Sequence, residues 1–285
     1  MLWSYCDWLY SLHVNGLRSA GCWITLIVTR YKAQGAAIVD KNGTKDRCEF
    51  FTISSDELHG IAPASAVPST IEGNWSLFQS FTTMAHNTVI TILNSLDAPL
   101  GLPAGTLSQR HRITEPSGGS ARILKYPPQP LDDQRISHAP HTDFGSVTLL
   151  FSQVGGLQVR PPGMTPAWGY VVSEPGHAVV NLGDGMVKFT NGLLRSAYHR
   201  VISPPGAQAA LTRYSLVYFA RAEDEVLLKR LESRVIPELG AGETEDVVST
   251  KEWILRRIQA MKQASRNKAE WDGIKGTEDL PRQKL

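Results

Sequence analysis

The chain is 285 residues long, 42% hydrophobic and 20% charged, with a formal net charge of +2. That length allows one large domain or two small ones, and the composition is that of a soluble globular protein. So small a charge gives no support for a nucleic-acid partner or for an anionic membrane surface.

Residues 1–48 show no clean period. Trp3, Trp8 and Trp23 fall here, and the apolar run 22–28 is too short to span a bilayer. A basic leader with an apolar stretch and a cleavage site is absent, so secretion is not expected. Cys6, Cys22 and Cys48 are odd in number and unpaired in spacing. They argue against a disulfide framework and for a reducing compartment, with the cytoplasm as the default. Residues 53–69 mix Pro, Ser, Ala and Gly and read as loop. Within 71–96, Leu77, Phe81, Met84, Ala85, Thr88, Ile92 and Leu96 recur every three or four residues, which predicts an amphipathic helix backing a sheet. Pro99 and Pro103 end it. Residues 102–119 are irregular.

From 121 to 220 short apolar runs alternate with Pro/Gly turns: 121–126, 146–152, 156–160, 168–172, 178–182, 197–203 and 212–220. Strands at this density predict an antiparallel sandwich or barrel. The expected fold is mainly β with flanking helices, built on a double-stranded β-helix (jelly roll) core. Ser249 and Glu252 form a capping box for a helix reaching about Ala264, with Trp253, Ile254, Ile258 and Met261 facing inward. That helix is expected to cap the domain, with a lid or a partner surface as the alternative. No repeat or linker splits the chain. The expected organisation is an atypical segment 1–48, a helical part 49–120, a β core 121–225 and a helical extension 226–285.

The chemistry concentrates at His141-Thr142-Asp143 and His199. Residues two apart on a strand face the same way, so His141 and Asp143 can reach one ion from an extended segment. Two imidazoles and one carboxylate are the ligand set of a mononuclear non-haem iron(II) site with open positions, though such a set also holds catalytic zinc or manganese. Arg213 and Ser215 share one face of a predicted strand. A guanidinium fork and a hydroxyl can grip a carboxylate, such as the far end of a keto acid chelating the metal. An H-x-D triplet, a strand histidine or an R-x-S pair means little alone; their joint order on predicted strands carries the reading. His138 and His177 are expected on the surface or in loops. His13, His59, His86 and His111 belong to no constellation. No G-x-S-x-G elbow surrounds Ser215, and no Walker loop or G-x-G-x-x-G is present.

At these residues the chain resembles the iron(II)/2-oxoglutarate dioxygenases of the isopenicillin-N-synthase-like family. Four blocks carry the resemblance: Arg122-Ile123-Leu124-Lys125-Tyr126-Pro127-Pro128, His141-Thr142-Asp143-Phe144-Gly145, Val180-Asn181-Leu182-Gly183-Asp184 and Ser196-Ala197-Tyr198-His199-Arg200-Val201. Arg213-Tyr214-Ser215 completes the match, and Asp46-Arg47-Cys48-Glu49-Phe50-Phe51 is similar to fungal members that tailor natural products. The resemblance implies Fe(II) on His141, Asp143 and His199, with O₂ and 2-oxoglutarate as co-substrates. It implies Arg213 and Ser215 as the 2-oxoglutarate clamp and Tyr126 as a contact to it. Many plant members carry Asn two residues before that tyrosine; here the position is Leu124. Asn181, Gly183 and Asp184 match a turn block read as structural. Phe144 is placed either in the pocket wall or in the core.

The implied activity is oxidation of a small organic substrate, by hydroxylation, desaturation or rearrangement, by a monomer with no nucleic-acid or membrane partner. Two alternatives stand beside it: a 2-oxoglutarate-independent non-haem iron oxidase, and a catalytically impaired jelly-roll protein. The second is motivated by the N-terminus. Only 48 residues precede Glu49, fewer than members usually carry, and residues 1–31 resemble nothing in the family. The expectation is an altered start that removes part of one sheet and of the pocket wall.

Overall fold

A computed structural model describes residues 30–160 and 167–264. Trp3, Trp8, Trp23, Cys6, Cys22, His13 and the run 22–28 lie outside the described residues. In chain order the elements begin with β1 (Tyr31–Lys32), β2 (Glu49–Ser54), α1 (Ser55–Leu58), α2 (Ser69–Glu72) and the long helix α3 (Trp75–Asp97). There follow β3 (Ser120–Tyr126), β4 (Ile136–His141), β5 (Val147–Ser152), β6 (Leu157–Arg160), β7 (Gly169–Tyr170) and β8 (Val179–Leu182). The chain continues through α4 (Asp184–Phe189), β9 (Tyr198–Ile202), β10 (Arg213–Ala220), β11 (Leu227–Leu228), β12 (Val248–Ser249) and α5 (Thr250–Ala264).

Six strands form one antiparallel sheet in the order β1-β2-β3-β10-β5-β8, and four form a second in the order β4-β9-β6-β7. Strand alternation sorts the side chains. On the central strand β10, Leu216, Tyr218 and Ala220 face outward and pack with Ala85, Val89, Leu93, Phe78 and Ile123 under α3. Val217 faces inward and meets Phe50 and Leu124 of its own sheet and Leu157 and Val201 of the other. The two sheets therefore face each other, and α3 covers the back of the larger one. No described helix is long and apolar enough to cross a membrane.

Each of the seven short runs read from sequence contains a strand. Five strands lie outside those runs: β1, β2, β4 and the short pair β11 and β12. Glu49–Ser54 is β2, paired along its length with β3, where a helical segment with loop from residue 53 was expected. Both faces of β2 are covered, so it shows no polar alternation. Strand β4 carries Pro140 and two register shifts, which break its period. The two residues of β1 extend the large sheet by one strand.

The long helix forms as expected, but its buried stripe is offset. Met84 is 71% exposed and Thr88 is exposed, whereas Thr82, His86 and Asp97 are buried. Hydrophobicity misses this face because tertiary partners satisfy its polar groups. His86 Nδ1 lies 3.0 Å from the Tyr218 hydroxyl, and Asp97 accepts from the backbone N–H groups of Gly105 and Leu107.

His111, which belongs to no constellation in the sequence, is buried at 1% exposure. Its Nδ1 donates to the Leu107 carbonyl at 2.7 Å, so its Nε2 accepts from the Ser146 hydroxyl at 2.7 Å. Burial pushes this imidazole down to about 4. The unfolded chain therefore binds a proton here that the folded chain refuses between pH 6.5 and about 4. Stability from this group is present above pH 6.5 and is lost as pH falls toward 4, by about 3 kcal/mol in all. Urea unfolding at pH 7 and pH 4.5 should show His111→Gln losing less stability on acidification than the parent.

Candidate active site

Antiparallel pairing of β4 with β9 sets His141 directly opposite His199. Their ring centroids are 4.3 Å apart. Asp143 follows two residues after β4, and its Oδ1 lies 3.8 Å from His141 Nε2. One ligand atom from each of the three lies within 4.8 Å of the others, close enough to hold one ion.

Each donor is pre-aimed by a second contact. His141 Nδ1 donates to the Ala139 carbonyl and His199 Nδ1 to the Ala197 carbonyl, both at 2.8 Å. A carbonyl can only accept, so the proton sits on Nδ1 and the Nε2 lone pair is left for a metal. Asp143 Oδ2 accepts from Thr148 Oγ1 at 2.8 Å and from Asn181 Nδ2 at 2.7 Å, leaving Oδ1 to turn toward the imidazoles. Burial and then the neighbouring His199 push His141 down to about 4, so it is neutral at pH 7. Burial alone would raise the Asp143 carboxyl. His199, His141 and the bonds from Asn181 and Thr148 outweigh it and hold the group below its usual range. A neutral His141 beside an ionised Asp143 carboxylate is what a divalent cation requires of these two donors.

The loop carrying Asp143 is braced on several sides. Gly183 approaches it so closely that a Cβ there would lie 2.4 Å from the Gly145 carbonyl oxygen and 2.8 Å from that of Asp143. Asp184 N–H donates to the Asp143 carbonyl at 2.8 Å, and Thr142 Oγ1 donates to Asp184 Oδ2. His111 reaches the loop through Ser146. Helix α5 closes the remaining side: Ser249 caps it by accepting from Glu252 N–H, and Trp253 Nε1 donates to the Phe144 carbonyl at 3.1 Å. Ile254 is buried as expected, and Ile258 and Met261 reach the cavity wall, so this helix both caps the fold and closes the site.

The triad opens into a cavity of about 720 Å³ between the sheets. Tyr126, Leu124, Leu150 and Val217 supply part of its wall, and Phe144 lines it rather than the core. Ala33, Ala36, Ala37 and Ile38 line another side, although residues 1–48 were left unclassified by sequence and a loss of wall was expected there. His138, expected on the surface or in a loop, lies on β4 and lines the same cavity, its ring 4.8 Å from that of His141. Burial and then His141 hold it far below the ordinary imidazole range. His177 is exposed in a turn, as expected.

Arg213 pairs in register with Tyr126 across β10 and β3. Its guanidinium lies 5.0 Å from the Tyr126 ring centre, donates through Nε to the Gly155 carbonyl at 2.9 Å, and donates through Nη1 to Ser215 Oγ. Arg213 is 1% exposed, and its Nη2 is buried without a partner among the described residues. A buried cationic donor left unsatisfied costs stability unless a ligand meets it. A carboxylate from 2-oxoglutarate fits this position. The hard oxygen of Asp143 with two nitrogens fits Fe(II).

Two facing antiparallel sheets with a His-Asp-His donor set define a mononuclear metal-site β-protein. Residues 104–222 match the sequence profile of the 2OG-Fe(II) oxygenase superfamily. The 2-oxoglutarate-dependent dioxygenase iboH of Amanita muscaria is 35% identical over 172 residues, 60% of this chain and 83% of that protein. The 2-oxoglutarate-dependent dioxygenase gloE of Glarea lozoyensis is 31% identical over 205 residues, 72% of this chain but only 60% of its own length. A crystal structure of a Neurospora crassa protein in complex with alpha-KG and thymine shares the fold, with a TM-score of 0.74 and 22% identity over 91% of this chain and 82% of that one. The chain belongs to the 2OG-Fe(II) oxygenase superfamily.

Asn181 was read from sequence as part of a structural turn. Its amide instead fixes the carboxylate, a role visible only once β8 lies beside β5. Asn181→Ala should weaken Fe(II) affinity by about 10- to 100-fold with little loss of melting temperature. Anaerobic metal titration beside thermal unfolding checks both.

Proposed function

We propose that this chain is an Fe(II)/2-oxoglutarate-dependent dioxygenase that oxidises a small organic substrate in secondary metabolism. In this reading the two sheets are the halves of a double-stranded β-helix core spanning 121–225. Residues 49–120 and 226–285 flank it, and 1–48 form an atypical N-terminal segment. The observation that carries the reading is the triad itself: two imidazoles with bonded Nδ1 and free Nε2 atoms, and a carboxylate with one oxygen held and the other turned inward. Relatives named as 2-oxoglutarate-dependent dioxygenases and a same-fold protein crystallised with alpha-KG support it.

His141, Asp143 and His199 would hold the metal from one side and leave the other side open. Bound there with 2-oxoglutarate and O₂, Fe(II) supplies an oxidant strong enough for a C–H bond, coupled to release of succinate and CO₂. The chain's own residues do the rest. Arg213 and Ser215 hold the far carboxylate of 2-oxoglutarate, and the Tyr126 ring fixes the plane of the guanidinium. Leu124, Leu150 and Val217 keep the chamber apolar, which limits water at the reacting bond.

His199→Ala should abolish Fe(II) binding and succinate release. Arg213→Ala should raise the KM for 2-oxoglutarate roughly 10- to 100-fold, the loss expected for a charge-assisted hydrogen bond. Succinate is measured under O₂ with each purified variant. Parent-like succinate release from either would overturn the assignment, and turnover without succinate would favour the oxidase that draws all its electrons from the substrate.

A further inference from the structure

The cavity wall carries more positive charge than its own acids neutralise. Lys32 pairs with Asp46. Asp143 is committed to the imidazoles. Arg122 and Arg221 also line the cavity, yet neither makes an ion pair with a carboxylate among the described residues. Each guanidinium has five N–H donors, and each uses one: Arg122 Nε to Thr52 Oγ1 at 3.0 Å, Arg221 Nη1 to the Gly118 carbonyl at 2.7 Å. Arg122 is clamped between aromatic rings, 4.2 Å from the centre of Phe50 and 5.0 Å from that of Phe219. The two cations also act on each other: burial, then Arg122, pushes Arg221 down to about 10, and the opposing pull of Asp56, Asp224 and Asp143 does not cancel it. Two like charges in a low-dielectric chamber are held at a cost that one anion between them would relieve.

We propose that Arg122 and Arg221 form an anion-binding end of the substrate chamber, so that the main substrate is an organic carboxylate. This rests on the dioxygenase reading above. A planar fork pre-oriented by stacking suits a carboxylate, and the apolar lining suits a hydrocarbon or aromatic body. This end is distinct from the co-substrate clamp. Arg122 lies across from Val217, four residues and about 13 Å along β3 from the Tyr126 that faces Arg213. Arg213 and Arg221 fall on the same face of β10 by alternation, with Arg221 one residue beyond the strand's end. Their eight-residue separation spans about 26 Å at roughly 3.3 Å per residue, too far for one five-carbon diacid to reach both. Arg122 and Arg221 line the same cavity as His141, Asp143 and His199, so an anion held by them shares the chamber with the metal ligands.

The test uses the full chain loaded anaerobically with Fe(II) and 2-oxoglutarate, titrated calorimetrically with acetate, phenylacetate and decanoate and with the amide of each. At least one acid should bind 10-fold or more tightly than its amide. Arg122→Gln and Arg221→Gln should each erase that preference while changing 2-oxoglutarate affinity less than threefold. Retained 2-oxoglutarate binding also reports that the variants fold. Arg122→Lys keeps the charge and should keep most of the preference. The proposal is overturned if no acid binds the parent, if acid and amide bind alike, if the glutamine variants keep the preference, or if their loss falls on 2-oxoglutarate instead. A parent that fails to bind 2-oxoglutarate at all would sink the dioxygenase reading, a separate outcome.

Discussion

Pairing of β4 with β9 is the constraint on which the site depends. It sets two histidines, far apart in sequence, face to face on adjacent strands, with rings 4.3 Å apart. Cross-strand neighbours on one face are the closest side-chain pairs a sheet offers. A slip of one residue would turn His199 to the opposite face and dissolve the site. The register shifts in β4 matter for the same reason, since a bulge re-aims the residues that follow it.

The third donor comes from a different mechanical source. Asp143 lies beyond the end of β4, and its carboxylate is held by Thr148 on β5 and Asn181 on β8, both strands of the larger sheet. The smaller sheet thus presents the imidazoles and the larger one steers the carboxylate, so a bound cation would tie the two layers together. Gly183 and Asp184 press on the loop from one side and α5 from another. This bracing leaves the donors little freedom to reorganise, which favours tight metal binding.

The inner face of β10 runs from Arg213 and Ser215 through Val217 to Phe219, with Arg221 just beyond its end. Cationic groups stand at both ends of an apolar stripe. Arg213, with one orphaned guanidinium atom, marks one end; Arg221 marks the other, and Arg122 stands across from Val217 between them.

The seven short strands were legible because a two-residue period and Pro/Gly punctuation are local properties. So were the long helix and the capping box of α5. His141, Asp143, His199, Arg213 and Ser215 stood out because their residue types carry chemistry wherever they meet. The sequence could not show that His138 lines the cavity, that Asn181 steers a carboxylate, or that Arg122 makes no ion pair among the described residues. Each depends on which strand lies alongside. The same holds for the buried face of α3, where Thr82, His86 and Asp97 replace the expected apolar positions because partners from distant segments satisfy them. Local order follows from backbone sterics and side-chain type along the chain. Proximity, burial and charge balance arise only when strands remote in sequence share a sheet, and the tertiary structure alone decided those.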